Sequence, residues 1–478
     1  MTEHEYDIIV IGCGSGGLSV GLFMNKTGFK VLMISKTDKS IGGDCLNDGC
    51  VPSKSLLHVS KVIGNAKKAS SFGLTISGDV NIKKAVEYIY GKQEVIRKHE
   101  NASWLKELGV EVALGNAQFT GKNEIQVNGK RYSGKKIIIA TGSRPKKLDI
   151  PGIEQVKYYD NKNIFTIENL PEKLLVIGGG PIGIEIAQAL SRLGSKVTII
   201  HQSDRILEHD DPFVTAVLME QLQKEGVEII LNARTDKFIS ANEGVIILKD
   251  GTCNNIKFDA IFVGIGRELN IEELELENAF IEVKDKKIVA DKYLRTTNKN
   301  IFVCGDVAGS LQFSHAAEFQ ARIILNNLFS PFKKRLNNDH MSWVTFTDPE
   351  LATFGLNEKE LKERKIGYER LEQKFDHDDR AIVDDYRYGK MILYISSKGF
   401  LKKQKLLGGT MVSPNAGELI QELILANSTG LSINTIFNKI YPYPVASRIN
   451  QKTIVQYKQK LLTESLKKLL RIAYRFFS

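Results

Sequence analysis

The sequence is poor in cysteine, with five in 478 residues. Cys13, Cys253 and Cys304 are scattered singly, and only Cys45 and Cys50 lie at a motif-like spacing. This usage excludes the disulfide framework of a small secreted protein and indicates a reducing, cytoplasmic compartment with one special pair. Structural zinc sites combine closer cysteine spacing with a second ligand pair, so no metal site is predicted.

Long apolar runs are also missing. No stretch of about 18 apolar residues exists, which excludes a membrane-spanning helix. The opening residues, MTEHEYDIIVIG, enter a strand without a basic and then apolar signal sequence. The net charge of +10 comes from lysines spread over the chain, as in a solvated surface, so we expect no nucleic-acid partner.

The segment IGGDCLNDGCVPSK at residues 41–54 is the strongest chemical signal. Pro52 fits the first turn of a helix, which puts Cys50 near the start of that helix. The helix dipole and free backbone N–H groups favour a thiolate there. Cys45 and Cys50 are therefore interpreted as a redox-active dithiol, with Lys54 about one turn further on. Two inert buried thiols or half of a metal site are the alternatives.

Two glycine-rich turns each follow an apolar strand and open a helix. This is the G-x-G-x-x-G context of a dinucleotide-binding βαβ unit, in which glycines permit the tight turn, the approach of a pyrophosphate and close helix packing. The first unit contains Gly12, Gly14 and Gly17, and the second contains Gly178, Gly180 and Gly183. Two such units in one chain predict an oxidoreductase with two nucleotide cofactors.

Together these motifs resemble the pyridine nucleotide–disulfide oxidoreductases, the family of lipoamide dehydrogenase, glutathione reductase and mercuric reductase. Further matches are ATGS at 140–143, NKNIFVCGDVAG at 298–309, and the segment that begins WVTFTDPEL at Trp343. The resemblance covers nearly the whole chain. It implies an α/β fold with two Rossmann-like three-layer domains, for FAD and NAD(P), and an α+β C-terminal dimerisation domain, hence a homodimer.

The resemblance also predicts the domain boundaries. Residues 1–148 and 271–340 would form the FAD-binding and central part, residues 149–270 the NAD(P)-binding domain, and residues 341–478 the dimerisation domain. Pro145 and Pro151 bracket the first linker.

Site residues follow from the resemblance by position. FAD would be bound by Gly12, Gly14, Gly17, Ser35, Gly43, Lys54, Thr141, Gly142, Gly305 and Asp306. NADPH or NADH would be bound by Gly178, Gly180, Gly183, His201 and Arg267. Ser35 replaces the usual acidic ribose ligand, and His201 stands where NADH-preferring relatives have an acidic residue, which favours NADPH weakly.

The resemblance implies that catalysis involves Cys45, Cys50, Lys54, Glu185 and Tyr443, and that Tyr443 from the partner subunit lines the substrate pocket. Cys50 would be the sulfur against the flavin, and Cys45 the outward sulfur that meets substrate. Glu185 would hold Lys54 near the flavin; a carboxylate that only favours the positive end of its helix is the alternative.

One departure from the family concerns the acid–base group. The segment YPYPVASR places Tyr443 where lipoamide dehydrogenase and glutathione reductase have His, and Arg448 where they have Glu. Mercuric reductase also has Tyr there, but its outer cysteine pair has no counterpart after Cys304. The sequence thus predicts an FAD-dependent NAD(P)H oxidoreductase that reduces a soft metal ion or another electrophile. The alternatives are a lipoamide dehydrogenase-type disulfide reductase and a membrane-associated flavoprotein redox sensor.

Apolar residues recur at helical spacing near the end of the chain, beside basic ones. Leu462, Leu466, Leu469 and Ala473 form the apolar stripe, and Lys467, Lys468, Arg471 and Arg475 the basic one. Such a helix can lie on the anionic inner membrane surface or pack on the dimer. The sequence leaves both open.

Overall fold

The computed structural model describes residues 5–398 and 403–477. The chain forms two compact units, each built from separate stretches. Unit 1 contains residues up to 202 together with 226–337, and unit 2 contains residues 203–225 together with those from 338 onward. The parts of the predicted domain ranges at residues 1–4, 399–402 and 478 lie outside the described residues, and the domain boundaries stay a prediction.

Nineteen of the described strands belong to unit 1 and five to unit 2. The strands of unit 1 are β1 (Tyr6–Ile11), β2 (Val31–Ser35), β3 (Glu111–Leu114), β4 (Ala117–Gly121), β5 (Glu124–Val127), β6 (Lys130–Ile139), β7 (Ser143–Pro145), β8 (Tyr158–Tyr159), β9 (Lys173–Ile177), β10 (Lys196–Ile200), β11 (Glu228–Ile230), β12 (Ala233–Ser240), β13 (Glu243–Leu248), β14 (Cys253–Lys257), β15 (Ala260–Val263), β16 (Arg267–Leu269), β17 (Val283–Lys284), β18 (Lys287–Ile288) and β19 (Ile301–Val303). Those of unit 2 are β20 (Ser342–Thr345), β21 (Glu350–Gly355), β22 (Tyr368–Lys374), β23 (Lys390–Ser396) and β24 (Leu406–Ser413).

The α-helices are distributed over both units. Unit 1 contains α1 (Ser15–Lys26), α2 (Gly43–Asn47), α3 (Cys50–Lys68), α4 (Ile82–Arg97), α5 (Ala102–Glu107), α6 (Pro181–Leu193) and α8 (Ser314–Phe329). Unit 2 contains α7 (Pro212–Lys224), α9 (Glu358–Glu363), α10 (Asp379–Val383), α11 (Ala416–Leu419), α12 (Gln421–Thr429), α13 (Ile433–Asn438), α14 (Arg448–Lys460) and α15 (Glu464–Phe477).

The first sheet of unit 1 has a parallel part in the order β3-β2-β1-β6-β19, to which the hairpin β4–β5 adds antiparallel strands at β6. The central strand β1 is apolar and buried on both faces, as parallel strands between helix layers are. Ile9 pairs with both Leu32 and Ile137 in the register. One face packs against α1 and α8, and the other against the β4–β5 hairpin and the 271–288 segment. The carboxyl ends of β1 and β19 lead directly to the predicted FAD motifs.

The second sheet has the parallel order β11-β10-β9-β15-β8. Helix α6 packs on β9 and β10, and the antiparallel sheet β12-β13-β14 contributes to the core on the other face. The carboxyl end of β9 leads into the second glycine-rich turn, which is where ligands of open α/β sheets bind.

Unit 2 is built on an antiparallel sheet in the order β20-β21-β24-β23-β22. Its core packs that sheet against helices that include α12, α13 and α14, through residues such as Phe354, Met391, Leu423 and Ile454. Unit 2 is therefore an α+β arrangement, whereas unit 1 contains the two parallel α/β sheets. These architectures confirm the predicted fold class.

Segment 203–225, which sequence order places inside the NAD(P)-binding range, packs within unit 2. Its Asp210 and Asp211 are nearly buried; Asp210 accepts hydrogen bonds from Trp343 and Thr353, and Asp211 from Tyr394. Buried carboxylates need such partners, so these contacts account for the position of the segment. Within the described ranges, no helix combines the length and the apolar character needed to cross a bilayer.

Candidate active site

The two cysteines of the motif lie on consecutive short elements of unit 1. Cys45 is in α2, and Cys50 is the first residue of α3, so the predicted helix start is confirmed. Both are free thiols; Cys45 is half-buried and Cys50 is exposed. Their sulfurs interact by hydrogen bonding. The pair thus has the arrangement that a reversible dithiol–disulfide couple needs.

The environment divides the pair into a thiolate and a thiol. A hydrogen bond from Cys45 lowers the pKa of Cys50 to about 6, against the opposing effect of partial burial. Ser314 and the positive charge of Lys54 lower the pKa of Cys50 further. The same hydrogen bond, together with burial, raises the pKa of Cys45 far above its usual value. Cys50 is therefore the thiolate near neutral pH, and Cys45 retains its proton.

Ser314 is a site residue that sequence reasoning missed. It is the first residue of α8, and its Oγ lies 3.5 Å from the Sγ of Cys50, 264 residues away in sequence. The N-terminal ends of two helices, α3 and α8, therefore meet at the Cys50 sulfur, and both favour negative charge there. The one sequence signal that could have pointed to it is a hydroxyl residue five positions after the NKNIFVCGDVAG motif.

Lys54 and Glu185 form an ion pair between α3 and α6. The Nζ of Lys54 lies 2.8 Å from the Oε2 of Glu185, whose side chain is 3% exposed against 36% for Lys54. Glu185 is thus a nearly buried carboxylate on α6 that holds the Lys54 ammonium one turn after Cys50. The expected pairing is present; its catalytic role stays a prediction.

The first glycine-rich turn is closely packed on one side and open on the other. A Cβ on Gly17 would lie 1.9 Å from the carbonyl oxygen of Gly12, and a Cβ on Gly43 would lie 2.7 Å from the Cα of Gly14. Gly14 itself is the N-cap of α1, so the free N–H groups of that helix begin at this point. Gly14 and Gly43 form the two sides of a backbone cradle suited to a pyrophosphate.

A polar network surrounds the second predicted FAD motif. The Oγ of Ser143 donates to Asp306 at 2.5 Å, and the Nε of Arg267 donates to Ser143 at 2.6 Å. Arg267 also forms an ion pair with Asp44, at 3.1 Å, next to Cys45. Burial raises the pKa of Asp306. Arg267, which the sequence placed near the nicotinamide coenzyme, thus lies among the FAD-motif residues.

Two further predicted FAD contacts have partners within the chain. Ser35 is buried, and its hydroxyl interacts with the carbonyl of Thr37 at 3.1 Å and with Ser40 at 2.9 Å. Thr141 donates to the carbonyl of Asn270 at 2.7 Å, and Gly142 adopts a positive φ of 69°. Ser35 and Thr141 therefore shape the loops at the sheet edge, and direct contact of either with a cofactor stays a prediction.

The second glycine-rich turn repeats the geometry of the first. A Cβ on Gly183 would lie 2.2 Å from the carbonyl oxygen of Gly178, whereas a Cβ on Gly180 would meet no atom within 4 Å. Gly180 is the N-cap of α6, and Pro181 follows at the first helical position. The Nδ1 of His201 accepts a hydrogen bond from the backbone N–H of Gly179 at 3.1 Å. His201 therefore lies against the loop that would bind the coenzyme phosphates.

Comparison with known proteins identifies the family of this chain. The model of the pyridine nucleotide-disulphide oxidoreductases matches residues 6–321, and that of their dimerisation domain matches residues 341–453. The chain belongs to this family. It is an FAD-dependent pyridine nucleotide-disulfide oxidoreductase, and the dimerisation domain supports a homodimer.

The relatives of this oxidoreductase include enzymes of two activities. It is 31% identical to a mercuric reductase of Staphylococcus aureus over 92% of this chain and 80% of the relative. It is 32% identical to a dihydrolipoyl dehydrogenase of Mycoplasma genitalium over 93% of this chain and 97% of the relative. Among solved structures, the HOCl-induced flavoprotein disulfide reductase RclA of Escherichia coli superposes with a TM-score of 0.82 at 26% identity, covering 94% of this chain and 99% of RclA.

The site of the oxidoreductase fits the cofactors of its family, FAD and NAD(P)H. Each glycine-rich turn has two glycines packed against backbone, Gly12 and Gly17 in the first and Gly178 and Gly183 in the second, and a helix N-terminus begins there, as a pyrophosphate requires. Asp306 is a half-buried carboxylate three residues after β19, where it can accept a hydrogen bond from a sugar hydroxyl. Within the described part of the chain, no group of three or more His, Cys, Asp or Glu is arranged to hold a metal ion.

In unit 2 of the oxidoreductase, Tyr443 is 67% exposed. Its hydroxyl donates to Asp379 at 3.2 Å, and the Arg448 guanidinium lies 5.4 Å from the centre of its ring. The hydrogen bond with Asp379 raises the pKa of Tyr443 above its ordinary value. The nearby Tyr441 differs, because its hydroxyl donates to Glu422 at 2.5 Å and anchors the segment to α12. Tyr443 therefore projects outward and is a weak acid and a weak base near neutral pH.

Proposed function

We propose that this oxidoreductase reduces a soft metal ion or another thiol-reactive electrophile at the Cys45–Cys50 pair. When bound, NAD(P)H and FAD supply two electrons to the pair. The observation that supports this substrate class is the Tyr443–Asp379 hydrogen bond, at the position where disulfide-reducing relatives have a histidine base.

Proton balance separates the two substrate classes. Reduction of a disulfide by one NAD(P)H yields two thiols, so the leaving sulfur must receive a proton. Reduction of Hg(II) to Hg(0), or of two Cu(II) to two Cu(I), consumes the same two electrons and transfers no proton to the product. A tyrosine whose pKa lies above its ordinary value exchanges protons slowly near neutral pH. With Tyr443 in place of a histidine base, the chain therefore suits metal reduction better than lipoamide reduction.

The cysteine pair has the chemistry to hold such an ion. Thiolates select soft ions, and Cys50 is already ionised near neutral pH because its pKa is lowered to about 6. Cys45 would add its sulfur when the ion displaces its proton. Among relatives, two solved structures are Cu(II) complexes, one of RclA and one of its cysteine-to-serine mutant, and several curated relatives are mercuric reductases.

The roles of the remaining site residues follow from their contacts. Lys54, fixed by Glu185, would place a positive charge beside the reduced cofactor and the Cys50 thiolate. Arg267, Ser143 and Asp306 would hold the loop at the FAD sugar. Gly178, Gly180 and Gly183 would receive the coenzyme pyrophosphate, and His201 beside them would contact its ribose.

The test is NADPH and NADH oxidation under anaerobic conditions, with Hg(II) in excess thiol, with Cu(II) in a thiol-free buffer and, separately, with lipoamide. We expect turnover with the metal ions and little with lipoamide. A Cys45→Ser variant should lose turnover with metal while NAD(P)H still bleaches the flavin absorbance. Brisk lipoamide turnover would refute the proposed substrate class and favour a dihydrolipoyl dehydrogenase activity instead. Metal turnover that survives in Cys45→Ser would refute the role of Cys45.

A further inference from the structure

Helix α15 has no buried residue although eight of its 14 side chains are apolar. Thr463 precedes this helix, and its Oγ1 accepts a hydrogen bond from the N–H of Leu466. Within the helix, Lys467 pairs with Glu464 at 2.8 Å. Among its apolar side chains, Phe476 and Phe477 are 81% and 91% exposed. A helix of 14 residues is marginal in water without a surface to pack on. Packing of its apolar face on another surface would therefore stabilise α15.

The two faces of α15 are cleanly separated. Since successive residues are about 100° apart, the apolar side chains occupy an arc of roughly 200° and the basic ones the opposite side. The apolar arc consists of Leu466, Leu469, Leu470, Ile472, Ala473, Tyr474, Phe476 and Phe477. The opposite arc consists of Glu464, Lys467, Lys468, Arg471 and Arg475. Four basic side chains against one acidic side chain give this face a strong positive charge.

This helix also lies outside the part of the chain that the family models match. The dimerisation-domain match ends at residue 453, within α14, and α15 begins eleven residues later. The family dimerisation domain therefore does not itself account for α15.

We propose that α15 binds the surface of a membrane rich in anionic phospholipid, with its axis parallel to the surface. The apolar arc would enter the boundary between headgroups and acyl chains, and the basic side chains would contact lipid phosphates. The helix is about 21 Å long, so it covers several headgroups without crossing the bilayer. Charge favours this partner over a second copy of the chain, because each Lys or Arg near an anionic surface strengthens binding about fivefold, whereas pairing of two copies through their apolar arcs would leave the basic side chains in water.

The binding test uses the full-length, FAD-loaded protein and sedimentation with lipid vesicles. One set of vesicles contains phosphatidylglycerol and phosphatidylcholine in equal parts, and the other contains phosphatidylcholine alone. We expect binding to the first set that weakens as salt rises, and little binding to the second. Equal binding to both, or binding to neither, would overturn the proposal.

Two variants locate the binding to the helix. Leu466→Gln with Leu469→Gln keeps the charge and the helix propensity, and should weaken binding at least tenfold. Lys467→Gln with Lys468→Gln and Arg471→Gln should weaken it at least tenfold and remove most of the salt dependence. The matched control is Leu74→Gln with Leu108→Gln, two exposed leucines of unit 1, which should bind as the parent does.

Flavin content, NAD(P)H turnover and the dimer mass of every variant show whether the protein remains folded. Full vesicle binding by the Leu466–Leu469 variant would overturn the proposal. The proposal would also be overturned if the parent protein did not bind vesicles and the Leu466–Leu469 variant changed from dimer to monomer. A second copy of the chain would then cover the apolar arc of α15.

Discussion

The Oγ of Ser314 lies 3.5 Å from the Sγ of Cys50, and this contact joins the start of α8 to the start of α3. A hydroxyl at this distance stabilises a thiolate and does not react with it. The redox pair therefore has a hydrogen-bond donor from outside its own motif. The electrostatic asymmetry of the pair depends on tertiary structure as well as on the segment 41–54.

Ser314→Ala should raise the pKa of Cys50, because a hydrogen bond that lowers it is lost. Alkylation of the reduced protein by iodoacetamide, followed against pH, reports the thiolate directly. Since the Cys50 pKa is about 6, the rate for the parent should fall as pH drops through 6. In Ser314→Ala this fall should move to higher pH, and the rate at pH 6 should be about three- to tenfold lower. Ser314→Thr keeps the hydroxyl and is the control; an unchanged pH profile in Ser314→Ala would contradict the contact's role.

The Lys54–Glu185 pair predicts an asymmetric loss of stability. Lys54→Met removes the cation beside a nearly buried carboxylate and should lower the free energy of unfolding by about 2 kcal/mol. Glu185→Gln removes the buried charge itself and leaves a more exposed ammonium, so its effect should be smaller. Urea denaturation of both variants measures the difference. Equal losses would show that burial of Glu185 does not determine the energetics of the pair.

The second glycine-rich turn offers two variants with opposite expectations. Gly180→Ala adds a Cβ that meets no atom within 4 Å, so stability and flavin content should be retained while the KM for NAD(P)H rises at least tenfold. Gly183→Ala adds a Cβ 2.2 Å from a backbone oxygen and should destabilise the protein by several kcal/mol. Thermal unfolding and steady-state kinetics distinguish the two. Unchanged KM in Gly180→Ala would place the pyrophosphate elsewhere.

The sequence predicted those parts of the site that depend on local backbone geometry. The turn at Gly178, the start of α3 at Cys50 and the buried strand β1 each follow from a few consecutive residues, and the structure has all three. The Lys54–Glu185 pair was expected only through the family resemblance, since 131 residues separate its members. Ser314 and the packing of Asp210 within unit 2 were missed, because long-range packing leaves no periodic pattern in the sequence.

Asp210 and Asp211 are adjacent in sequence but should respond to amide substitution in opposite directions. Burial raises the pKa of Asp210 to about 6. The contribution of its protonated carboxyl group to the free energy of unfolding is therefore complete below about pH 4 and is lost as the pH rises through 6. Asp210→Asn should therefore stabilise the protein at pH 8, by up to about 3 kcal/mol. Asp211 pairs with Arg370 at 3.1 Å and accepts from Tyr394 at 2.6 Å, so Asp211→Asn should destabilise it. Denaturation at pH 5 and pH 8 measures whether each substitution raises or lowers the free energy of unfolding. A loss of stability in Asp210→Asn at pH 8 would show that the folded protein favours the ionised form of Asp210.

The segment around Tyr443 predicts a gain of function. The double substitution Tyr443→His with Arg448→Glu would restore the base and the carboxylate that disulfide-reducing relatives have at these positions. An imidazole with a pKa near neutrality exchanges protons that Tyr443 cannot, because the Asp379 hydrogen bond raises the tyrosine pKa. We expect lipoamide turnover to rise at least tenfold, with an optimum near neutral pH, and turnover with metal ions to change little. Tyr443→Phe removes the hydroxyl without adding a base and should leave lipoamide turnover low. If Tyr443→Phe raised it as much as the double variant, the size of the side chain, and not proton transfer, would limit disulfide reduction.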